Sequence, residues 1–275
     1  MRNLPRILSK VHREPWMIRP ERLHAIADLL ETRLTVRADM VSDVMPAEED
    51  DTYEDYGGAR LIKVFGILGK HLSGMEMECG GCSVDEVCEQ IEEAEQDPAV
   101  TEILLWFNSP GGTVTGIPEA GSLIARVNAS KKITALVDGE CCSAAYWMAS
   151  QCGDLIATPS ACIGSIGVYC LLLDRSRQLE NEGIKVNAIS AGTYKLSGAD
   201  FRPLSDDERA MFQAGVDRTY QQFKDAVNEG RSGNVADDVM QGQTFDGEEA
   251  MAVGLVDDVV ISLTAYLKAK LTRVD

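Results

Sequence analysis

From Ala59 onward, predicted strands and helices alternate, and this alternation constrains the fold more than any other feature of the sequence. Apolar runs rich in β-branched residues indicate strands, whereas apolar residues spaced three and four apart indicate helices. The predicted strands are 61–68, 102–108, 132–138, 154–157 and 166–173, and the predicted helices are 83–97, 116–129, one that begins at Ser143, and 205–229. Parallel strands joined through helices need crossover connections, so the sequence predicts an α/β fold with repeated strand-helix crossover units.

The residues before Ala59 follow a different pattern. Residues 15–36 carry one apolar helical stripe, which predicts an amphipathic helix. Residues 43–58 contain seven carboxylates and no periodicity, a composition typical of a solvated linker. The expected parts are an N-terminal helical arm (1–42), an acidic flexible linker (43–58), the main domain (59–262) and a C-terminal helix or tail (263–275).

The formal net charge of −18 argues against a surface for nucleic acid or anionic lipid, because such surfaces need clustered lysine and arginine. The N-terminus lacks the apolar stretch of a signal peptide, and the longest nearly apolar run, 161–173, is too short to cross a bilayer. We therefore expect a soluble, cytoplasmic protein whose eight cysteines are reduced thiols.

The segment 108–116, NSPGGTVTG, follows a predicted strand and precedes a predicted helix. In a parallel α/β fold, functional sites form at the carboxyl ends of the strands. Gly111 and Gly112 allow a tight turn that exposes backbone N–H groups, which suits an oxyanion hole. A plain strand-to-helix turn explains the same residues equally well, so this segment alone leaves both interpretations open.

The segment 139–150, GECCSAAYWMAS, occupies the same place one strand later. Ser143 stands at the predicted start of a helix, where its hydroxyl is exposed and the N–H groups of the first turn favour an anion. Ala144 and Ala145 leave space around the hydroxyl. Ser143 is therefore a candidate nucleophile, although an N-cap serine followed by small packing residues has the same pattern.

The general base distinguishes the possible mechanisms. The three histidines, His12, His24 and His71, all precede Ser143, and two of them lie in the N-terminal arm. A Ser-His pair is therefore possible only if His71 folds back toward Ser143. A lysine serves as a base when burial lowers its pKa, and Lys195, in the polar loop AGTYKLSG, is the leading candidate. On sequence alone, a solvated surface lysine is the more ordinary interpretation.

The cysteines have less specific patterns. No histidine is paired with Cys141 or Cys142 by sequence, so we interpret both as small packing residues. Cys79, Cys82 and Cys88 are one ligand short of a structural zinc site, and Cys88 also fits the apolar face of its predicted helix. The sequence predicts neither a metal nor another cofactor.

The motifs NSPGG, GECCSAAYWMAS and AGTYKLSG, in this order and spacing, resemble the protease IV / signal peptide peptidase A family of Ser-Lys peptidases. The sequence resembles in particular the phage and prophage head maturation (prohead) proteases, whose N-terminal segment is similar to residues 15–21, PWMIRPE. Residues 201–209 and 242–259 also resemble family segments, so the resemblance covers nearly the whole chain. It implies the crotonase-like fold that the family shares with the Clp proteolytic subunit.

The resemblance implies a role for each matching residue. Ser143 is implied as the nucleophile and Lys195 as the general base. Gly112 and the backbone N–H of Ala144 are implied as oxyanion donors, with Gly111 shaping the turn. Two features depart from the family: alanines follow the serine where many cellular members have glycines, and no membrane anchor is recognised. The second departure favours a soluble substrate over a signal peptide.

The implied activity is that of a serine endopeptidase that cleaves scaffold, capsid or portal proteins during procapsid assembly. The resemblance also implies a homo-oligomeric ring, for which helices 15–36 and 205–229 offer contact surfaces. A cellular protease IV-like peptidase would use the same chemistry elsewhere. Two further alternatives are a crotonase-fold acyl-CoA enzyme, which needs an oxyanion hole but no Ser-Lys pair, and a non-catalytic assembly factor.

Overall fold

The computed structural model describes residues 15–19, 53–56, 58–233 and 235–271. The strands in these ranges are β1 (Trp16–Ile18), β2 (Tyr53–Tyr56), β3 (Ala59–Phe65), β4 (Ile67–Gly69), β5 (Gly81–Ser83), β6 (Glu102–Ser109), β7 (Gly111–Thr113), β8 (Ile133–Cys142), β9 (Asp154–Ala157), β10 (Cys162–Gly164), β11 (Thr244–Phe245) and β12 (Asp258–Val259). The helices are α1 (Gly74–Glu78), α2 (Val84–Gln96), α3 (Ile117–Asn128), α4 (Ala144–Ser150), α5 (Ser176–Asn181), α6 (Asp206–Gly230), α7 (Gly247–Ala252) and α8 (Leu263–Leu271), with a 3₁₀ turn at Asp237–Val239.

These strands form two sheets. The larger sheet has the order β11-β10-β8-β6-β3-β2, with β9 beside β8 and β12 beside β9. Its central pairs, β3 with β6 and β6 with β8, are parallel, and helices lie between these strands in the chain. The smaller sheet has the order β1-β7-β4-β5. The predicted α/β architecture with strand-helix crossovers is confirmed.

The core lies on both faces of the larger sheet. Most residues of strands β3, β6 and β8 are buried, as expected for parallel strands covered on both faces. The larger apolar cluster packs one face of the sheet against helices α2, α3 and α4. On the other face, Leu104 and Leu136 pack with Leu263 of α8. The sheet is therefore a rigid support for the loops at its carboxyl edge.

Helix α6 fixes the position of α4. Trp147 of α4 stacks on Phe223 of α6, with ring centroids 4.9 Å apart and an interplanar angle of 15°. The buried Tyr146 hydroxyl donates a hydrogen bond to the Leu255 carbonyl at 2.8 Å. Because α4 follows Ser143 directly, these contacts also hold that residue in place.

The strand predicted over 61–68 is two strands in the structure. Gly66 separates β3 from β4 and has a positive φ of 97°. A Cβ atom at this position would lie 2.3 Å from the Gly80 carbonyl oxygen, so the turn needs glycine for space as well as conformation. The break transfers the chain from the larger sheet to the smaller one.

The segments expected to form the arm and the linker contain strands where the structure describes them. Residues 16–18, predicted as the start of a helix, form β1 and pair with β7. Residues 53–56, predicted as linker, form β2 and pair with β3. The prediction is therefore wrong at these residues, while residues 1–14 and 20–52 lie outside the described ranges.

The strand predicted over 166–173 is also wrong. In the described ranges, this stretch pairs at one position only, a bridge between Tyr169 and Trp16. Leu171 and Leu173 are exposed, so the apolar residues that predicted a buried strand lie partly at the surface. Without a neighbouring strand, the backbone beyond Tyr169 has no ladder to join.

Replacing Phe223 by alanine should lower the free energy of unfolding by about 3–5 kcal/mol, because the ring is fully buried against Trp147. Met211→Ala changes the same helix at a side chain that is 39% exposed, and should alter stability by less than about 0.5 kcal/mol. Urea denaturation measures both values. Equal losses in the two variants would contradict the packing of α6 on α4.

Candidate active site

Ser143 forms the turn between β8 and α4, at the carboxyl edge of the larger sheet. Its φ of 56° and ψ of −118° are rare for a residue with a side chain. Its N–H donates to the Gly164 carbonyl at 2.7 Å, and its carbonyl accepts from the Trp147 N–H at 3.0 Å. The hydroxyl does not cap the helix, so the structure gives no support to the N-cap interpretation.

Strand β7 brings two glycines beside this serine. A Cβ atom on Gly111 would lie 3.0 Å from the Ser143 Cβ and 2.9 Å from the Cys142 carbonyl oxygen, and Gly111 has a φ of 104°. A Cβ atom on Gly112 would lie 1.9 Å from the Leu68 carbonyl oxygen. Both positions therefore require glycine, which places backbone groups of β7 next to the candidate nucleophile.

Ala144 supplies a further backbone donor. It is the first residue of α4, and N–H groups in the first turn of a helix have no acceptor within that helix. All seven residues of α4 are buried, so this end of the helix is fixed in position. The structure thus brings Ser143, Gly111, Gly112 and Ala144 together, four of the five predicted site residues.

Lys195 is the predicted residue that the structure does not bring to Ser143. It lies in an exposed loop, where its backbone N–H donates to the Gly192 carbonyl at 3.1 Å. Within the described residues, no hydrogen bond joins Lys195 to Ser143. The described residues therefore do not provide the desolvation that a lysine base needs.

His71, the other candidate base, is engaged elsewhere. Its Nδ1 lies 3.0 Å from an Asp85 carboxylate oxygen, and its side chain is 75% exposed. Its backbone N–H donates to the same carboxylate at 2.8 Å. These bonds attach His71 to the start of α2 rather than to Ser143.

Of the five cysteines considered in the sequence, Cys79 is exposed, whereas the other four are buried or partly buried thiols with raised pKa values. Cys141 and Cys142 are completely buried, and burial raises the pKa of Cys141. Burial raises the pKa of Cys82 to about 12 and that of Cys88 to about 11. Among the described residues, no three histidine, cysteine or acidic side chains are grouped as metal ligands.

Cys162 is a reactive candidate that the sequence analysis missed. Its Sγ lies 3.8 Å from the Cys142 Sγ and 3.6 Å from Nη1 of Arg19. A hydrogen bond from Cys142 is the main factor that lowers the pKa of Cys162 to about 6, and the Arg19 charge and a hydrogen bond from Thr244 add to it. These residues are far apart in sequence, so no local motif could reveal the site.

The chain belongs to Peptidase family S49, because residues 125–274, more than half of the chain, match the sequence profile of that family. The matched range contains Ser143 and Lys195. Among curated relatives, Capsid assembly protease C of Escherichia phage lambda is 30% identical, over 96% of this chain and 65% of its own length. Head-tail preconnector protein GP5 of Enterobacteria phage P21 is 26% identical, over 94% of this chain and 56% of its own.

Cellular proteins are also similar to this chain. Protease 4 of Salmonella typhi is 30% identical, over 76% of this chain and 34% of its own length. The chain thus spans between 34% and 65% of the length of the three relatives named. A solved structure of an enoyl-CoA hydratase from Thermoplasma volcanium is 19% identical, with a TM-score of 0.42 over 79% of this chain and 74% of that chain.

No helix in the described ranges is long and apolar enough to span a membrane.

Cys162 should react with iodoacetamide at pH 7 much faster than Cys170, which is half-buried to a similar extent but has a pKa raised by burial. The lowered pKa keeps Cys162 as the reactive thiolate above about pH 6, so its rate should fall as the pH drops through that value. Mass spectrometry of alkylated peptides measures both rates. Equal rates at pH 7 would contradict the assignment.

Proposed function

We propose that this protein is a serine endopeptidase in which Ser143 is the nucleophile and Lys195 the general base. The observation that carries the proposal is the position of Ser143, on a constrained turn between the β7 glycines and the free N–H groups of α4. Membership of a peptidase family supports the same reaction. The backbone N–H groups of Gly112 and Ala144 serve as the oxyanion donors, and Gly111 shapes the turn.

The reaction proceeds through an acyl-enzyme. Neutral Lys195 takes the hydroxyl proton as the Ser143 Oγ attacks the peptide carbonyl, and the two N–H groups stabilise the resulting oxyanion. When the C–N bond breaks, Lys195 gives its proton to the leaving amine. A water molecule, deprotonated by the same lysine, then attacks the ester and releases the carboxylic acid with Ser143 restored.

A second copy of the chain supplies the missing desolvation of Lys195. Six of the ten large apolar side chains that are exposed in the described ranges lie within residues 171–194, directly before this lysine. These six side chains are those of Leu171, Leu173, Ile184, Val186, Ile189 and Tyr194. An apolar surface of this kind is typical of an interface, and covering it would take the lysine out of water. Assembly into a homo-oligomeric ring therefore completes the site.

The substrates are the scaffold, capsid or portal proteins of an assembling phage or prophage head in the host cytoplasm. The phage relatives support this choice, because their similarity extends over 96% and 94% of the chain, against 76% for Protease 4. A cellular protease IV-like peptidase is the second candidate, supported by that relative. Cleavage of the head proteins from the neighbouring genes distinguishes the two.

Ser143→Ala should reduce cleavage of a scaffold protein by at least about 10³-fold, because no nucleophile remains to form the acyl-enzyme. Cys142→Ser should retain most of the activity, since the adjacent thiol has no role in the reaction. Fragment mapping by mass spectrometry measures both. An active Ser143→Ala variant together with an inactive Cys142→Ser variant would exclude Ser143 as the nucleophile.

Lys195→Arg should also be inactive, because a guanidinium keeps its proton throughout the accessible pH range. Lys185→Arg is the matched control, since Lys185 is an exposed lysine of the same loop region and should tolerate the change. The measurement is the initial rate of cleavage. Near-normal turnover in Lys195→Arg would show that another group acts as the base, and His71 would be tested next.

Ile189→Asp should convert the oligomer to monomer and abolish activity, because Ile189 is 100% exposed at the proposed interface and a carboxylate there would be desolvated on assembly. Ile261→Asp alters a side chain that is 91% exposed on another part of the surface and should leave the ring intact. Light scattering after size-exclusion chromatography gives both masses. A wild-type monomer with full activity at micromolar concentration would refute the ring.

A further inference from the structure

A segment of the chain itself lies against the candidate active site. Strand β1 pairs antiparallel with β7, so that Met17 faces Gly112. On the other edge of β1, the Trp16 N–H donates to the Tyr169 carbonyl at 2.8 Å, and the Trp16 carbonyl accepts from the Tyr169 N–H at 3.1 Å. Residues 15–19 are therefore held on both edges in the extended form of a peptide added to a sheet.

The backbone of Met17 uses the proposed oxyanion donor. The Arg19 N–H donates to the Pro110 carbonyl at 3.2 Å, which makes these two residues a bonded pair. In an antiparallel ladder, bonded pairs alternate with unbonded ones, so Met17 and Gly112 form the next bonded pair. The Gly112 N–H therefore donates to the Met17 carbonyl.

The same carbonyl lies beside Ser143. A Cβ atom built on Gly111 would lie 2.1 Å from the Met17 carbonyl oxygen and 3.0 Å from the Ser143 Cβ, so both groups border the same point. In peptide hydrolysis, the carbonyl that is attacked must lie next to the nucleophile and accept a bond from the oxyanion donors. The Met17 carbonyl lies close to Ser143 and accepts from one of the two proposed donors, Gly112, so the peptide bond presented to Ser143 is the one between Met17 and Ile18.

The fit of this segment is apolar along its length and ionic at its end. Trp16, Met17 and Ile18 are all buried, and Met17 belongs to the main apolar cluster. Arg19 follows, and its Nη1 lies 3.2 Å from a Glu140 carboxylate oxygen in a half-buried ion pair. The Arg19–Glu140 ion pair fixes the end of the segment at the edge of β8.

We propose that residues 15–19 are a resident occupant of the peptide-binding groove, with Met17 in the position of the residue whose carbonyl Ser143 attacks. The proposal deepens the proposed function and rests on it. With the segment in place, Ser143 is 1% exposed and the Met17 carbonyl uses the Gly112 N–H, so a substrate must displace the segment. The displacing substrate is an extended polypeptide with a large apolar residue on the N-terminal side of the cleaved bond.

The test measures binding of a fluorescent peptide, Pro-Trp-Met-Ile-Arg, in the Ser143→Ala background, where no cleavage can occur. Arg19→Ala removes the ion pair, and Met17→Asp puts a carboxylate in an apolar site. Each change should raise the affinity for the peptide about tenfold. A resident competitor lowers the apparent affinity, because the peptide can bind only the fraction of molecules in which the groove is open. Fluorescence anisotropy gives the dissociation constants.

Arg126→Ala is the matched control, since it removes an arginine ion pair that joins α3 to α2 and should leave the affinity unchanged. Arg19 and Glu140 are both partly exposed, so the Arg19→Ala variant should fold even if Met17→Asp does not. Equal affinity in Ser143→Ala with and without Arg19→Ala, or absence of peptide binding in both, would overturn the proposal.

Failure of the proposed function would look different. If the peptide binds more tightly when Arg19 is replaced, but proteins with Ser143 and Lys195 intact cleave nothing, the groove and its occupant stand and the catalytic assignment fails. If wild type and Arg19→Ala cleave a scaffold protein at the same rate and bind the peptide equally well, the protease stands and the resident occupant fails.

Discussion

The close approach of backbones at β7 is the constraint on which the site depends. The Leu68 carbonyl on one side and the Met17 carbonyl on the other lie nearer to Gly112 and Gly111 than any side chain allows. Because both residues lack a Cβ, β7 can pass beside Ser143 with its N–H groups available to a bound carbonyl. The buried contacts of α4 then hold the serine turn against this strand.

In the proposed mechanism, two features of the described residues limit reaction, and they have different physical origins. Lys195 is exposed, and no hydrogen bond among the described residues joins it to Ser143. The Gly112 N–H is engaged by the chain's own Met17 carbonyl. In the account proposed above, assembly removes the first obstacle and substrate binding removes the second. A protease controlled in this way would act where its copies and its substrates are concentrated together, as in a forming capsid.

Local sequence patterns predicted the parts of the fold that depend on local interactions. The strand at 102–108 follows from a continuous apolar run, and the helix at 205–229 follows from the capping box that Ser205 and Glu208 form in the sequence. The structure has both elements. The strand at Trp16–Ile18 was not predicted because its partner, β7, lies far along the chain. The apolar helical stripe that follows these residues led to the prediction of a helix over 15–36 instead. The signal available in the sequence was the run of three consecutive apolar residues, which one helix face does not accommodate. The Cys162 environment likewise depends on contacts that no local pattern encodes.

The central claim is that Ser143 attacks a carbonyl held by Gly112 and Ala144 in the place now taken by Met17. A crystal structure of the protein treated with a peptide aldehyde of sequence Pro-Trp-Met tests it most directly, because the Ser143 hydroxyl adds to an aldehyde without a leaving group. The account predicts a bond from the Ser143 Oγ to the aldehyde carbon, its oxygen within hydrogen-bond distance of both N–H groups, and β1 displaced. An adduct on Cys162, or an unmodified Ser143 with β1 still in place, would contradict it.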